Sequence, residues 1–472
     1  MGEAQRTGEL RKGLRQRHMT MISLGGVIGA GLFVGSGAVL NQTGPASIVS
    51  YAAAGLLVVL VMRMLGEMAV AQPAQGSFME YTRRALGDRG GFAVGWLYWY
   101  FWAIVLAVEA VAGAQIIQGW LPGVPMWVIA FVLMTVLTAS NLVSVRNFGE
   151  FEFWFASIKV AAIIVFIAIG VGYLLGVGGD SPGLSNLTAH GGFAPKGGVT
   201  VLSGIVVVIF AFVGAEIVTI AAAESDRPEK AVARATNAVV WRVLVFYVLS
   251  VFLVVAILPW NNSKLGASPF AAALGQVGIP GAKDIMDAIV VTAVLSCLNS
   301  GIYTGSRMLF ALSRRGYAPD ALVETNSRGV PVKAILLTVS IGFLSVIAAA
   351  LWPESVFVWL VNSSGAVALF CYLLIAISEL RLRRRLEREA PESLTLKMWF
   401  YPWLTYAAIV AMVAVVGAMA FVADVRDQLW WSLASLAIVL ALAERHVRHR
   451  QRSRAAIRST PATRRSASAS SL

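Results

Sequence analysis

Apolar stretches of about twenty residues recur from residue 19 to residue 444. Each is long enough to cross the roughly 30 Å hydrocarbon core of a bilayer as a helix. Twelve can be placed, at approximately 19–40, 46–70, 91–118, 125–144, 154–176, 199–221, 238–258, 284–305, 333–352, 356–378, 400–422 and 428–444. Lipid cannot hydrogen-bond to a peptide group, so spanning segments are either helices or strands of closed barrels. No ten-residue alternation of the barrel type recurs, which leaves an all-α membrane protein. The composition agrees. Charged residues are 13% of the chain, about half the share in a soluble domain.

Lysine and arginine set the expected orientation. With the N-terminus inside, 32 of the 38 basic residues fall on cytoplasmic segments, only Lys196, Lys264, Lys283 and Arg426 fall on outer loops, and Arg63 and Lys159 fall in or beside spans. Both termini are therefore expected in the cytoplasm. The net charge of +13 reads as topology and contact with anionic lipid, not as a nucleic-acid surface. Residues 1–18 read as a basic cytoplasmic tail, and 445–472, rich in Arg, Ser and Ala, as a disordered one.

The first apolar segment contains Gly25-Gly26-Val27-Ile28-Gly29-Ala30-Gly31-Leu32-Phe33. Each glycine in a helix interior costs about 1 kcal/mol relative to alanine, so this run is expected to break the helix. The sixth segment reads Val207 to Thr219 around Gly214, with a carboxylate at Glu216. A charge at membrane depth costs about 2.5–3.5 kcal/mol on insertion scales and marks a functional position. Segments one and six lie five spans apart. Matching interruptions in two five-helix halves, 19–176 and 199–378, point to an inverted-repeat transporter, with 400–444 as two accessory helices. Broken half-helices carry opposite partial charges at their ends and suit a small zwitterion. The plainer reading of Gly25-x3-Gly29 and Gly31-x3-Gly35 is helix packing.

Other charges lie within spans. Lys159 sits among apolar residues in the fifth. Its alternatives are snorkelling to the surface and facing the broken first helix, where it releases and regains a proton. Glu109 in the third span either lines a cavity or packs as a neutral residue. Glu224 is eight residues beyond Glu216, about 12 Å along a helix. It reads as a gate carboxylate or as an ordinary helix-end charge. Arg63 and Glu67 are spaced for an i,i+4 pair. Cys297 and Cys371 read as buried free thiols. No metal-ligand spacing, nucleotide loop or cofactor motif is present, so neither an enzyme nor an ATP-driven pump is expected.

Several motifs resemble a known family. Gly26-Val27-Ile28-Gly29-Ala30-Gly31-Leu32-Phe33 resembles the first-helix motif of the amino acid–polyamine–organocation superfamily. Gly66-Glu67-Met68-Ala69-Val70 with Gly76-Ser77-Phe78, and Phe210-Ala211-Phe212-Val213-Gly214-Ala215-Glu216, resemble its bacterial amino acid transporter branch. The run Glu216 to Asp226, with Ser296-Cys297-Leu298-Asn299-Ser300, Ser306-Arg307-Met308-Leu309 and Leu312-Ser313-Arg314-Arg315-Gly316, is similar to the branch's 4-aminobutyrate permeases. Val213-Gly214-Ala215 departs from the polar residue and threonine that many members carry there. The resemblance implies a leucine-transporter-like five-plus-five fold in a bacterial inner membrane. It implies a substrate carboxylate on the amides of Val27, Ile28, Gly29, Ala30 and Gly31. It implies an amine near the carbonyls of Phe210, Ala211, Phe212 and Val213, beside Gly214. Phe210 matches an aromatic gate, Lys159 the fifth-helix lysine of proton-coupled relatives, and Glu216 and Glu224 the paired glutamates of the sixth helix. The expected activity is proton-coupled uptake of 4-aminobutyrate, with Glu109 assisting at the distal amine. The alternatives are an α-amino acid permease of the same branch, for aromatic, small neutral or basic substrates, and a receptor that binds an amino acid without moving it.

Overall fold

A computed structural model describes residues 14–25, 27–177, 181–224, 228–262, 268–352, 360, 364 and 366–459. Among these residues the regular structure is helical, with no extended strand. Eight helical stretches are long and apolar enough to cross a membrane, and the shorter apolar helices Val332–Ala348 and Trp403–Met419 join them.

The first apolar segment is in three pieces: Gln16–Gly25 (α1), Ala30–Phe33 (α2) and Gly35–Thr43 (α3). Val27 to Gly29 lie outside any helix, and Gly26 lies outside the described residues. A 3-10 turn at Gly44–Ala46 leads into Ser47–Ala71 (α4). Pro45 suits that turn because its missing N–H is not needed there. A short helix, Phe78–Leu86 (α5), follows in a stretch read from sequence only as a basic connection. It begins at Ser77, whose φ of 45 follows Gly76 at 84. Burial pushes the Glu80 carboxyl of α5 up, but hydrogen bonds from Arg83 and Arg84 and the charge of Arg315 outweigh it. They hold the group below the usual carboxylate range.

Three long helices follow: Asp88–Trp120 (α6), Met126–Val143 (α7) and Val145–Leu174 (α8). The sixth segment is again divided, into Val199–Phe212 (α9) and Ile217–Ala221 (α10), and Gly214 between them has φ 111. Pro228–Arg242 (α11) runs through a π-helical stretch, Val243–Leu249, into Ser250–Ile257 (α12). Pro269–Gln276 (α13) and Ala282–Arg314 (α14) come next. Val332–Leu351 (α15), Val367–Glu389 (α16), Trp403–Met419 (α17) and Ala423–Ser459 (α18) end the described chain. Residues 353–359, which open the tenth apolar segment, lie outside the described residues.

Helices α6 and α14 form the middle of the bundle. A Cβ on Gly301 of α14 would lie 2.8 Å from Leu106, and one on Gly113 of α6 2.8 Å from Val294. Small residues let the two backbones close up where apolar attraction between helices is weak. The outward faces carry large apolar side chains, such as Trp154 at 64% exposure and Val410 at 67%. Water would disfavour such a surface, whereas lipid accepts it.

Two expectations are corrected. Arg63 and Glu67 do not pair: Glu67 binds Arg383 at 2.6 Å, and Arg63 reaches the Lys397 carbonyl and Asn237. Arg383 lies far off in sequence, so the local i,i+4 spacing could not reveal it. Residues 445–459, expected to be disordered, continue α18. Arg89 and Arg448 both pair with Glu444, and His446 packs beside Phe92 and Tyr317, tying the basic helix to the bundle. Residues 460–472 lie outside the described residues.

A Cβ on Gly31 would meet the Ala211 backbone at 2.9 Å, whereas one on Gly119 would meet nothing within 4 Å. Gly31→Ala is therefore expected to destabilise the fold by about 1–3 kcal/mol, seen as a lower unfolding temperature in detergent. Gly119→Ala should leave that temperature unchanged.

Candidate functional site

The two interrupted segments touch at their breaks. Besides the Gly31–Ala211 approach, the Tyr247 hydroxyl lies 3.1 Å from the Val27 carbonyl and 3.2 Å from that of Ala211. One donor thus serves a freed carbonyl from each break. Tyr247 lies in the π-helical stretch between α11 and α12, and the Phe212 ring braces it at 4.3 Å. The Ile28 carbonyl accepts from Lys159 Nζ at 2.7 Å. On the other side, Glu216 accepts from the Gly214 N–H at 3.1 Å. Peptide groups released by the breaks are largely satisfied by these side chains, as an apolar interior requires.

A cavity of about 20 Å³ lies between the breaks, room for about one water. Val27, Gly29 and Gly31 line it from the first break, and Phe210, Ala211 and Val213 from the sixth. Glu109, with Phe101, Trp102 and Val105, closes it from α6, and Cys297 from α14. A Cβ on Gly29 would lie 3.2 Å from Glu109 Oε1, so this carboxylate stands close against the break. Of the candidate binding residues, Val27, Gly29, Gly31, Glu109, Phe210, Ala211 and Val213 come together here. The others are placed differently. The Ile28 carbonyl faces Lys159, and Ala30 opens α2. Phe212 packs on Tyr51 and Tyr247, and Gly214 faces Glu216.

The two glutamates of the sixth segment occupy separate levels. Glu216 is fully buried outside the cavity lining and accepts from Tyr98 at 2.8 Å and Tyr372 at 3.1 Å. It joins the sixth break to α6 and α16. Glu224 pairs with Arg307 of α14 at 2.9 Å and accepts from Tyr303 at 2.8 Å. The Tyr303 ring stacks on Phe148 at 4.0 Å and carries the Arg307 guanidinium on its other side. The Leu14 N–H donates to the Glu224 carbonyl, and Ser77 bonds Thr219 of α10 at 2.7 Å. This layer ties α1, α5, α8, α10 and α14 together between the cavity and the arginine-rich end.

Lys159 is fully buried and does not snorkel. Its Nζ donates to Ser296 Oγ of α14 at 2.7 Å, and Ser296 donates to Glu152 Oε1 of α8 at 2.8 Å. Glu152, like Tyr98, Tyr247 and Tyr372, escaped the sequence reading, and Arg307 entered it only as part of a family motif. Glu152 had a usable signal: it lies seven residues before Lys159, two turns away on the same face. The tyrosines and Arg307 carried none, because their partners come from other segments.

The comparisons with known proteins agree with this architecture. Residues 18–454 match the amino acid permease family. The chain is 52% identical to the gamma-aminobutyric acid permease of Bacillus subtilis, over 91% of this chain and 92% of that protein. It is 48% identical to the gamma-aminobutyric acid permease of Escherichia coli, over 89% and 91% of the two chains. It is also 42% identical to the aromatic amino acid transport protein AroP of Corynebacterium glutamicum, over 91% and 93%. A multi-pass helical bundle with two interrupted segments and no metal-ligand cluster among the described residues, matched over nearly its whole length, belongs to the amino acid permease family.

Proposed function

We propose that this protein imports 4-aminobutyrate, coupled to protons, by alternating access through a twelve-span, five-plus-five inverted repeat with both termini in the cytoplasm. The cavity between the two breaks carries this reading. Val27, Gly29 and Gly31 of the first break line it together with Glu109. A substrate carboxylate suits the amide ends of the first break. The carbonyls of Phe210, Ala211 and Phe212 already accept hydrogen bonds from Val213, Tyr247 and Ala215. Glu109 is therefore the group we assign to the amine. The amine of 4-aminobutyrate, several bonds from its carboxylate, pairs with this group in the proposal. Two permeases named for gamma-aminobutyric acid at about half identity support the same substrate.

The cavity holds about one water in this conformation, so a substrate of several heavy atoms requires the surrounding helices to separate. The Glu224–Arg307–Tyr303 layer is the barrier we assign to the cytoplasmic side, with Glu216 linking it to the cavity and Phe210 as the aromatic gate. Lys159 is the coupling residue in this reading. Its ammonium holds the Ile28 carbonyl, and loss of its proton weakens that charge-assisted bond. Each proton moved inward contributes about 2.3 kcal/mol per 100 mV.

In proteoliposomes, labelled 4-aminobutyrate is expected to accumulate when the outside is acidic, and unlabelled 4-aminobutyrate should compete better than aromatic or small neutral α-amino acids. Stronger competition by phenylalanine would favour the aromatic alternative suggested by the apolar lining and the AroP likeness. Lys159→Met should abolish gradient-driven accumulation while sparing counterflow; accumulation at the wild-type level in that variant removes the coupling role. Glu109→Gln should weaken apparent affinity for 4-aminobutyrate by about tenfold or more, the scale of a lost charged hydrogen bond at 1.5–3 kcal/mol, with a smaller effect on alanine. Equal effects on both substrates would place Glu109 away from the distal amine.

A further inference from the structure

We propose that Glu152 takes the proton that Lys159 releases, with Ser296 as the bridge, and hands it on toward the arginine-rich end of the bundle. The inference rests on the reading of Lys159 as the coupling residue and names where its proton goes. Gly149, Glu152, Ala156 and Lys159 are all buried on one face of α8, spaced by three and four residues. Across from them, Ser296 is fully buried on α14. Its hydroxyl accepts from Lys159 at 2.7 Å and donates to Glu152 at 2.8 Å. A hydroxyl can do both at once, so the three groups form a continuous donor-to-acceptor line.

The step balances without any other reactant. Lys159 Nζ gives a proton to Ser296 Oγ while the Ser296 hydroxyl proton passes to Glu152 Oε1. The products are a neutral amine, an unchanged serine and a neutral carboxylic acid. A separated pair of buried charges is erased and no new charge is created in a low-dielectric interior, where charges are expensive. The second Glu152 oxygen has no hydrogen-bond partner among the described residues, so the neutral acid group can turn and carry the proton on Oε1 away from Ser296 for onward transfer.

Beyond Glu152, the line is covered by α1. A Cβ on Gly149 would lie 2.6 Å from His18 Nδ1, so His18 sits directly against this face. His18 is buried and contacts Glu150 and Arg17 at the surface. Other charged or titratable groups near the line among the described residues include Glu109 on α6, Cys297 on α14, Arg15 beside α1, and Tyr303 with Glu224 and Arg307 beyond Phe148. Because Val27 to Gly29, which lie between α1 and α2, are not helical, displacement of α1 in this proposal both uncovers Glu152 and opens the first break. Proton exit and opening at that end would then share one movement.

The test uses the full chain in proteoliposomes, with gradient-driven accumulation, counterflow and internal acidification by a trapped pH dye measured together. Glu152→Gln keeps an acceptor for Ser296 but cannot take a proton, and Ser296→Ala keeps both charges but removes the bridge. Both are expected to lower accumulation and acidification by about 100-fold, within the range for loss of a positioned proton carrier, with counterflow unchanged. Ser296→Thr should restore both. Wild-type accumulation in Glu152→Gln and Ser296→Ala, with Lys159→Met inactive, overturns the relay and leaves the coupling reading intact. Wild-type accumulation in Lys159→Met as well overturns both. Loss of counterflow together with accumulation, at an unchanged unfolding temperature, also overturns the relay, because it makes Glu152 part of the binding frame.

Discussion

Peptide groups released in the middle of an apolar bundle are the constraint on which the rest of this structure depends. Two segments stop being helical at the same depth, and no lipid group can satisfy what they release. The protein supplies the missing partners from neighbouring helices. Tyr247 takes a carbonyl from each break, Lys159 takes that of Ile28, and Glu216 receives the N–H of Gly214. An unsatisfied buried polar group costs about 1–3 kcal/mol, so each of these contacts supports the fold. Each is also a contact that must rearrange if the segments separate to admit a ligand. Stability and function therefore draw on the same few hydrogen bonds.

The charged groups are layered along the bundle. Glu109 stands at the cavity wall, Glu216 sits among tyrosines outside it, and Glu224 meets Arg307 nearer the arginine-rich end. A buried pair such as Glu224–Arg307 is no strong source of net stability, because desolvation offsets most of the attraction. Breaking it while both partners stay buried is costly. In this structure the pair is a closed, buried element that joins Glu224 to α14. The Ser77–Thr219 and Leu14–Glu224 contacts attach α5 and α1 to the same element.

Much of the architecture was legible in the residues themselves. Lipid imposes a length and an apolarity on every span, so the helical class and the interruptions at Gly25–Gly31 and Gly214 follow from local composition, whereas the burial of Lys159 was one of two open readings. The same rule explains the misreadings. Arg63 and Glu67 have helix-pair spacing, yet Arg383 captures Glu67 from more than 300 residues away. The arginine-rich stretch after residue 444 has the composition of a disordered tail. Contacts with α6 keep part of it helical. Interruptions are visible in sequence because they depend on glycine; their partners are not, because they depend on which helices become neighbours.

What the sequence alone determined is a membrane-spanning helical chain with two weak points and a few charges that must be sheltered, since the bilayer penalises every exposed peptide group and every isolated charge in a way that depends only on residue type. Tertiary structure alone decided which side chains do the sheltering. Tyr247 bridges both breaks, Ser296 stands between Lys159 and Glu152, and Tyr98 and Tyr372 converge on Glu216. Hydrogen bonds reach about 3 Å, and only the packing of distant helices brings such groups within that range.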